Sequence, residues 1–109
     1  MMRPPLQKLY LCMEEMRKIE DDMPVQRMVL FLLIAGKPGI TYKELTDAAG
    51  VTNSTVSRNV AALGKIDRHG KPGHDLVETA PDPREPRRNL LRLTPKGARV
   101  AKTLIALME

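Results

Sequence analysis

The chain is 109 residues long with a net formal charge of +5, a size that buries roughly two thirds of its unfolded surface and supports one domain, residues 1–109. Hydrophobic residues make up 42% but aromatics only 3%, which demands an aliphatic core and argues against an aromatic stacking platform for single-stranded nucleic acid. One cysteine, Cys12, excludes an intramolecular disulfide.

The first segment, residues 1–23, threads charges through its apolar residues, unlike a signal peptide. Leu9, Tyr10, Met13, Met16, Ile19 and Met23 recur at three- and four-residue steps, which predicts an amphipathic helix from about Pro5 that ends before Pro24. Pro24 opens a second helix, Val25 to Ala35, apolar nearly all round and therefore expected to be central. Its apolar run, Val29 to Ala35, is far too short to cross a bilayer; the expectation is a soluble, cytoplasmic protein with no membrane partner. Thr41 and Glu44 fit a capping box for a short third helix, Tyr42 to Ala49, stopped by Gly50. Either Thr52 or Asn53 caps a fourth helix, which turns Val56, Val60 and Leu63 inward and reaches about Lys65 or Ile66. Residues 24–66 thus read as a helical core containing a helix–turn–helix. The polar stretch 67–75 predicts a loop, Leu76 to Thr79 a strand, and Ala80 to Arg88, with three prolines, an irregular tip. Leu90 to Leu93 returns as a strand, so residues 76–93 form a wing hairpin. Thr94 and Pro95 then start a last helix within residues 94–109. The fold class is α+β, mainly α: a winged helix–turn–helix with N- and C-terminal helices for dimerisation.

The excess charge lies in one half. Residues 1–50 hold seven basic and seven acidic residues, whereas residues 51–109 hold eleven basic and six acidic. A one-sided basic excess suggests a polyanionic partner. In a helix–turn–helix the second helix enters the major groove and its N-terminal residues meet base edges. Here these are Asn53, Ser54, Thr55, Ser57 and Arg58, with Lys65 further along the same face. Arg58 is the long donor suited to a bidentate contact with guanine. At the wing, Arg84, Arg87 and Arg88 suit the narrow minor groove, and Asp82 and Glu85 could pair with them and fix their direction. The plainer alternatives are a capping cluster and a solvated, charged turn.

The stretch Leu76 to Gly97, LVETAPDPREPRRNLLRLTPKG, resembles the wing of the MarR family of transcriptional regulators, whose pattern is an Asp-Pro-x-Asp-x-Arg tip and a strand ending Leu-Thr-x-x-Gly. Asp82, Pro83, Arg87, Leu93, Thr94 and Gly97 match without a gap, with Glu85 in place of Asp. Asn53 to Arg58 echoes the family's Ser-x-x-Ser/Thr-Val-Ser-Arg helix start. The resemblance covers residues 38–100 and implies a homodimer on an inverted repeat of double-stranded DNA, with Arg87 in the minor groove. The chain departs in being short, in an insertion around Asp67 to Asp75 and in Pro86 at the tip; short forms with a Gly-Lys-Pro-Gly segment resemble phage and prophage variants. So short a chain leaves the small-molecule effector of many relatives in doubt. Leu9, Met13, Met16, Ala101, Leu104, Ile105 and Met108 are candidates for dimerisation, the alternative being that the stripe on the last helix packs on the first helix of the same chain.

Some relatives sense peroxides through an N-terminal cysteine, but Cys12 reads as a small buried apolar residue. His69 and His74 bracket the insertion without gathering three or four ligands, so no metal and no cofactor is expected. No nucleophile–base set is present, and no enzyme activity is expected. The functional reading is a sequence-specific transcriptional regulator; the alternatives are a winged-helix protein–protein interaction module and a non-specific DNA-binding protein.

Overall fold

The computed structural model describes residues 3–109; Met1 and Met2, at the head of the first segment, lie outside the described residues. The element order is α1 (Pro4–Ile19), α2 (Val25–Gly36), β1 (Ile40–Thr41), α3 (Tyr42–Ala49), α4 (Asn53–Leu63), β2 (Val77–Asp82), β3 (Glu85–Leu93) and α5 (Pro95–Met108). Five helices surround a small antiparallel sheet of order β1-β3-β2, the winged helix–turn–helix arrangement read from the sequence. No helix among the described residues is long and apolar enough to cross a membrane.

Local hydrogen bonds explain the helix starts. Thr41 accepts from the Glu44 amide at 3.1 Å while Glu44 accepts from the Thr41 amide at 3.1 Å, a complete capping box. Thr52, not Asn53, caps α4. Thr94 caps α5 through the Gly97 amide, and Pro95 occupies its first turn. The core is aliphatic around one aromatic: Leu30, Phe31 and Ile34 of α2 meet Leu45, Val56, Leu63, Leu76 and Leu91. Each such side chain contributes roughly 1.5–3 kcal/mol relative to remaining exposed.

Five expectations need correction. α2 is central on one face only, because Val25, Val29 and Leu32 are exposed. β1 was not anticipated; it pairs Ile40 with Leu91 and Thr41 with Leu90. α4 stops at Leu63 instead of Lys65 or Ile66, because the carbonyls of Ala62, Leu63 and Gly64 accept from the amides of His74, Leu76 and Asp75, which replaces helix continuation as their partner. The stretch 67–75 is not a plain loop: Ile66 bridges Pro72 in antiparallel fashion, and Asp67 and Gly73 donate to the carbonyls of Lys71 and Lys65. Residues 65–73 form a second, short hairpin. Finally, the proline-rich tip is largely strand. Pro81 lies on β2, an edge strand where a missing amide is tolerated. The register jumps from Pro81↔Asn89 to Asp82↔Glu85, so Pro86, Arg87 and Arg88 bulge out of the ladder.

Candidate nucleic-acid interface

The start of α4 is a row of short polar side chains. Thr52 Oγ1 accepts from the Thr55 amide and lies 2.9 Å from Thr55 Oγ1 and 3.2 Å from Ser54 Oγ. Thr55 is therefore drawn into the cap and half-buried, while Asn53, Ser54, Ser57 and Arg58 are exposed. Arg58 makes no ion pair among the described residues. Unpaired amides at this helix end favour a nearby anion. Lys65 is exposed but lies beyond the helix, at the root of the second hairpin.

The wing tip is organised by one buried carboxylate. Asp82 is 1% exposed; its Oδ1 accepts from the Arg84 amide at 2.9 Å, and its Oδ2 accepts from Arg88 Nε and Nη2 at 3.1 and 2.8 Å. The Arg84 amide and the Arg88 guanidinium hold the Asp82 carboxyl below the usual carboxylate range against the opposing effect of burial. Arg88 is raised in turn by its hydrogen bond to Asp82. Arg88 thus fixes the tip, leaving the exposed Arg84 and Arg87 to project from it. Glu85 makes no ion pair among the described residues. Behind the tip, Arg92 pairs with Glu78 at 3.1 Å and Lys96 donates to the His74 carbonyl at 3.0 Å.

Two clefts join these parts. One, of about 660 Å³, runs between Thr41, Tyr42 and Lys43 and the wing-tip residues Asp82, Arg84 and Arg88. The other runs from Tyr42, Lys43 and Asp47 to Asn53 and Ser57 of α4. Wing tip, α3 and the start of α4 therefore form one continuous surface. Lys43, exposed at its middle, escaped sequence reasoning because a lone lysine on a short helix carries no pattern.

A partly buried polar chain ties α4 to α2 and to the end of α1. Asn59, also unanticipated, accepts from Arg27 Nε at 2.9 Å and donates to the Thr55 carbonyl at 2.9 Å. Arg27 Nη1 donates to Glu20 at 2.6 Å, and His74 Nε2 donates to the same oxygen at 2.8 Å. Burial raises the Glu20 pKa, but the His74 and Arg27 hydrogen bonds outweigh it and hold the carboxyl below its ordinary value. His74 is thus engaged with Glu20, and the described residues gather no cluster of three or more potential metal ligands.

At the opposite end α1 packs on α5. Met16 and Leu104 are buried within the chain, Ala101 is half-buried, and Leu9, Met13, Ile105 and Met108 are exposed. Cys12 is half-buried, its thiol 3.7 Å from the Leu104 carbonyl.

The family model for winged helix-turn-helix DNA-binding matches residues 24–67. The PcaV transcriptional regulator from Streptomyces coelicolor, solved in complex with its natural ligand, is 34% identical; the match covers 82% of this chain and 59% of that one, with a TM-score of 0.55. The Multiple Antibiotic Resistance Repressor, MarR, is 18% identical over 99% of this chain and 76% of its own, with a TM-score of 0.65. FabT from Streptococcus pneumoniae, solved in complex with DNA, is 24% identical over 80% and 57%, with a TM-score of 0.59. The chain spans less than two thirds of the PcaV and FabT chains, and the likeness to MarR and FabT is one of fold. No curated protein sequence matches it.

Proposed function

We propose that the chain is a winged-helix protein of the MarR family that binds double-stranded DNA sequence-specifically, as a homodimer, to regulate transcription in the cytoplasm. The observation that carries this reading is the continuous surface from the exposed start of α4 across Lys43 to the arginines of the wing. Asn53, Ser54, Ser57 and Arg58 enter the major groove. Arg58 reads a base edge, the hydroxyls and the helix end meet phosphates, and Lys43 adds a phosphate contact. Arg84 and Arg87 reach the adjacent minor groove, presented by a tip that Asp82 and Arg88 hold rigid, so little entropy is lost on immobilisation.

Dimerisation through α1 and α5 is supported by what they leave uncovered. Leu6, Leu9, Tyr10 and Met13 on α1 and Ile105 and Met108 on α5 are all exposed, Ile105 at 61%. So many large apolar side chains on two packed helices mark a surface for association. A second copy would double the contacts and place two recognition helices on one face of the duplex.

Selection of random duplex DNA by the purified protein at physiological salt tests the reading. It should enrich an inverted repeat with half-sites about one helical turn apart. On that site Arg58→Ala should cost about 1–3 kcal/mol at one base position and relax its preference, while Arg87→Ala should weaken all sequences alike and flatten the salt slope by about 1. No enrichment, with retention lost as salt rises, would leave only non-specific binding.

A further inference from the structure

The hairpin Lys65–Gly73 sits beside α4; all but its first three residues lie beyond the matched helix–turn–helix, and it precedes the wing. It is a built element. Beyond the bridge and the two amide bonds at its base, the Gly70 amide donates to the Asp67 carbonyl at 3.1 Å, and Gly70 adopts φ +78°, a conformation suited to glycine. Asp67 Oδ1 accepts from the amides of His69 and Lys71 at 2.8 and 2.9 Å. Its seat on α4 is close: a Cβ on Gly73 would overlap the Gly64 carbonyl and lie 2.9 Å from that of Ala62.

Its position relative to α4 is the telling feature. On one flank of the helix, Ser57, Val60 and Ala61 share a cleft with Val77, Glu78 and Thr79 of the wing. On the other, Arg58 and Ala62 share a cleft with Asp67, Arg68 and His69 of the hairpin. The recognition helix is therefore bracketed by two hairpins. Arg68, Lys71 and Lys65 are exposed and make no ion pair among the described residues. The acidic groups nearby are otherwise placed: Asp67 is capped by the two amides, Glu20 is paired with Arg27 and His74, and Asp75 borders the wing-side cleft. The one large apolar side chain, Ile66, is at the base.

We propose that this hairpin is a second DNA-contacting finger, whose Arg68 and Lys71 neutralise backbone phosphates on the side of α4 away from the wing. The inference rests on the reading of the α4–wing surface as the DNA site. With α4 in the major groove, the wing meets one strand and the finger meets the strand across the groove. A phosphate partner suits the finger because it offers flexible cations on a rigid ribbon with no planar, base-reading side chain fixed in place.

The double variant Arg68→Ala, Lys71→Ala, measured against the duplex enriched by selection and against a random-sequence duplex, tests this. Neutralising two phosphate contacts should flatten the plot of log affinity against log salt by about 2 on both duplexes, with the order of base preference unchanged. The charge-preserving variant Arg68→Lys, Lys71→Arg should keep the native slope, and thermal melting should match the parent because both side chains are exposed. A double variant that binds with the native slope overturns the finger while leaving the DNA site standing. A parent protein that binds neither duplex overturns both.

Discussion

The two hairpins that flank α4 reach rigidity by different means. The wing is held from within: Asp82 is fully buried at its tip, tied to the Arg88 side chain and to the amide and, at 3.9 Å, the guanidinium of Arg84, and β3 behind it is stitched to β1. The finger has no side chain buried at its tip. Backbone hydrogen bonds, one aspartate turn and the fit of a glycine against the end of α4 hold it. One ribbon is specified by side chains and the other by backbone geometry. Substitutions should therefore strike them through different residues, most severely where a ribbon is continuous with the core.

The largest difference is expected at two glycines. A Cβ on Gly97 would overlap the Leu76 carbonyl, and one on Gly73 would overlap the Gly64 carbonyl. Gly97 is buried in the first turn of α5 against the backbone of the fully buried Leu76, so nothing nearby can yield. Gly97→Ala should cost about 3 kcal/mol or more, in the upper range for overpacking. The finger can lift into solvent, so Gly73→Ala should cost about 1–2 kcal/mol and misplace Arg68 and Lys71. Denaturant unfolding measures both. Equal losses would mean that the finger is as integral to the core as the wing is.

Asp82→Ala comes next. It removes the shared partner of the Arg84 amide and Arg88, frees the bulge at Pro86 to Arg88 and lets Arg87 move. Affinity for the enriched duplex should fall about tenfold, an effect comparable with the loss of one charged hydrogen bond. Circular dichroism should stay native, because the hydrogen-bond partners of this carboxylate, Arg84 and Arg88, both lie in the wing. The finger's counterpart, Asp67→Ala, leaves the base bridge in place and should weaken binding less. A larger loss for Asp67→Ala than for Asp82→Ala would reverse the contrast drawn between the ribbons.

The wing was legible because its pattern lives in side chains: Asp82, Pro83, Arg87, Thr94 and Gly97 can be read in a line. Helix starts were legible for the same reason, since Thr41 with Glu44 and Thr94 with Pro95 act within one turn. What escaped was decided by distant partners. β1 is two residues whose strand character comes from Leu90 and Leu91, far along the chain. The end of α4 is set by amides that return from His74 to Leu76. The finger left a faint trace, an aspartate at 67 and a glycine at 70, the positions a tight turn favours, but no alternating strands flank them. In the candidate site Asn53, Ser54, Ser57, Arg58, Arg84 and Arg87 are exposed, as a groove-facing role requires. Thr55 is turned into the cap, Arg88 into the tip and Lys65 off the helix, since helical spacing alone does not say which hydrogen bond a side chain will take.

The smallest expected effect falls where the finger meets the helical half. His74, just past the finger, donates to Glu20 at the end of α1, and Glu20 also receives Arg27, which holds Asn59 of the recognition helix. The Glu20 carboxyl sits below its ordinary value of 4.5, so the folded state favours the charged form. Its contribution is present in full above that ordinary value and is lost as pH falls through the lowered one. Glu20→Gln should therefore cost about 0.5–1 kcal/mol near neutral pH, a modest figure because the pair is partly solvated. The gap between variant and parent should close as the pH falls through the lowered value, where the parent carboxyl takes up its proton. Unfolding curves between pH 7 and pH 3 measure this. A gap that shows no dependence on pH across that range would place the stabilisation in packing around Arg27 and His74 and not in the carboxylate. A gap already absent at pH 7 would mean that the finger is held to the body of the protein by its backbone contacts alone, the limiting form of the contrast with the wing.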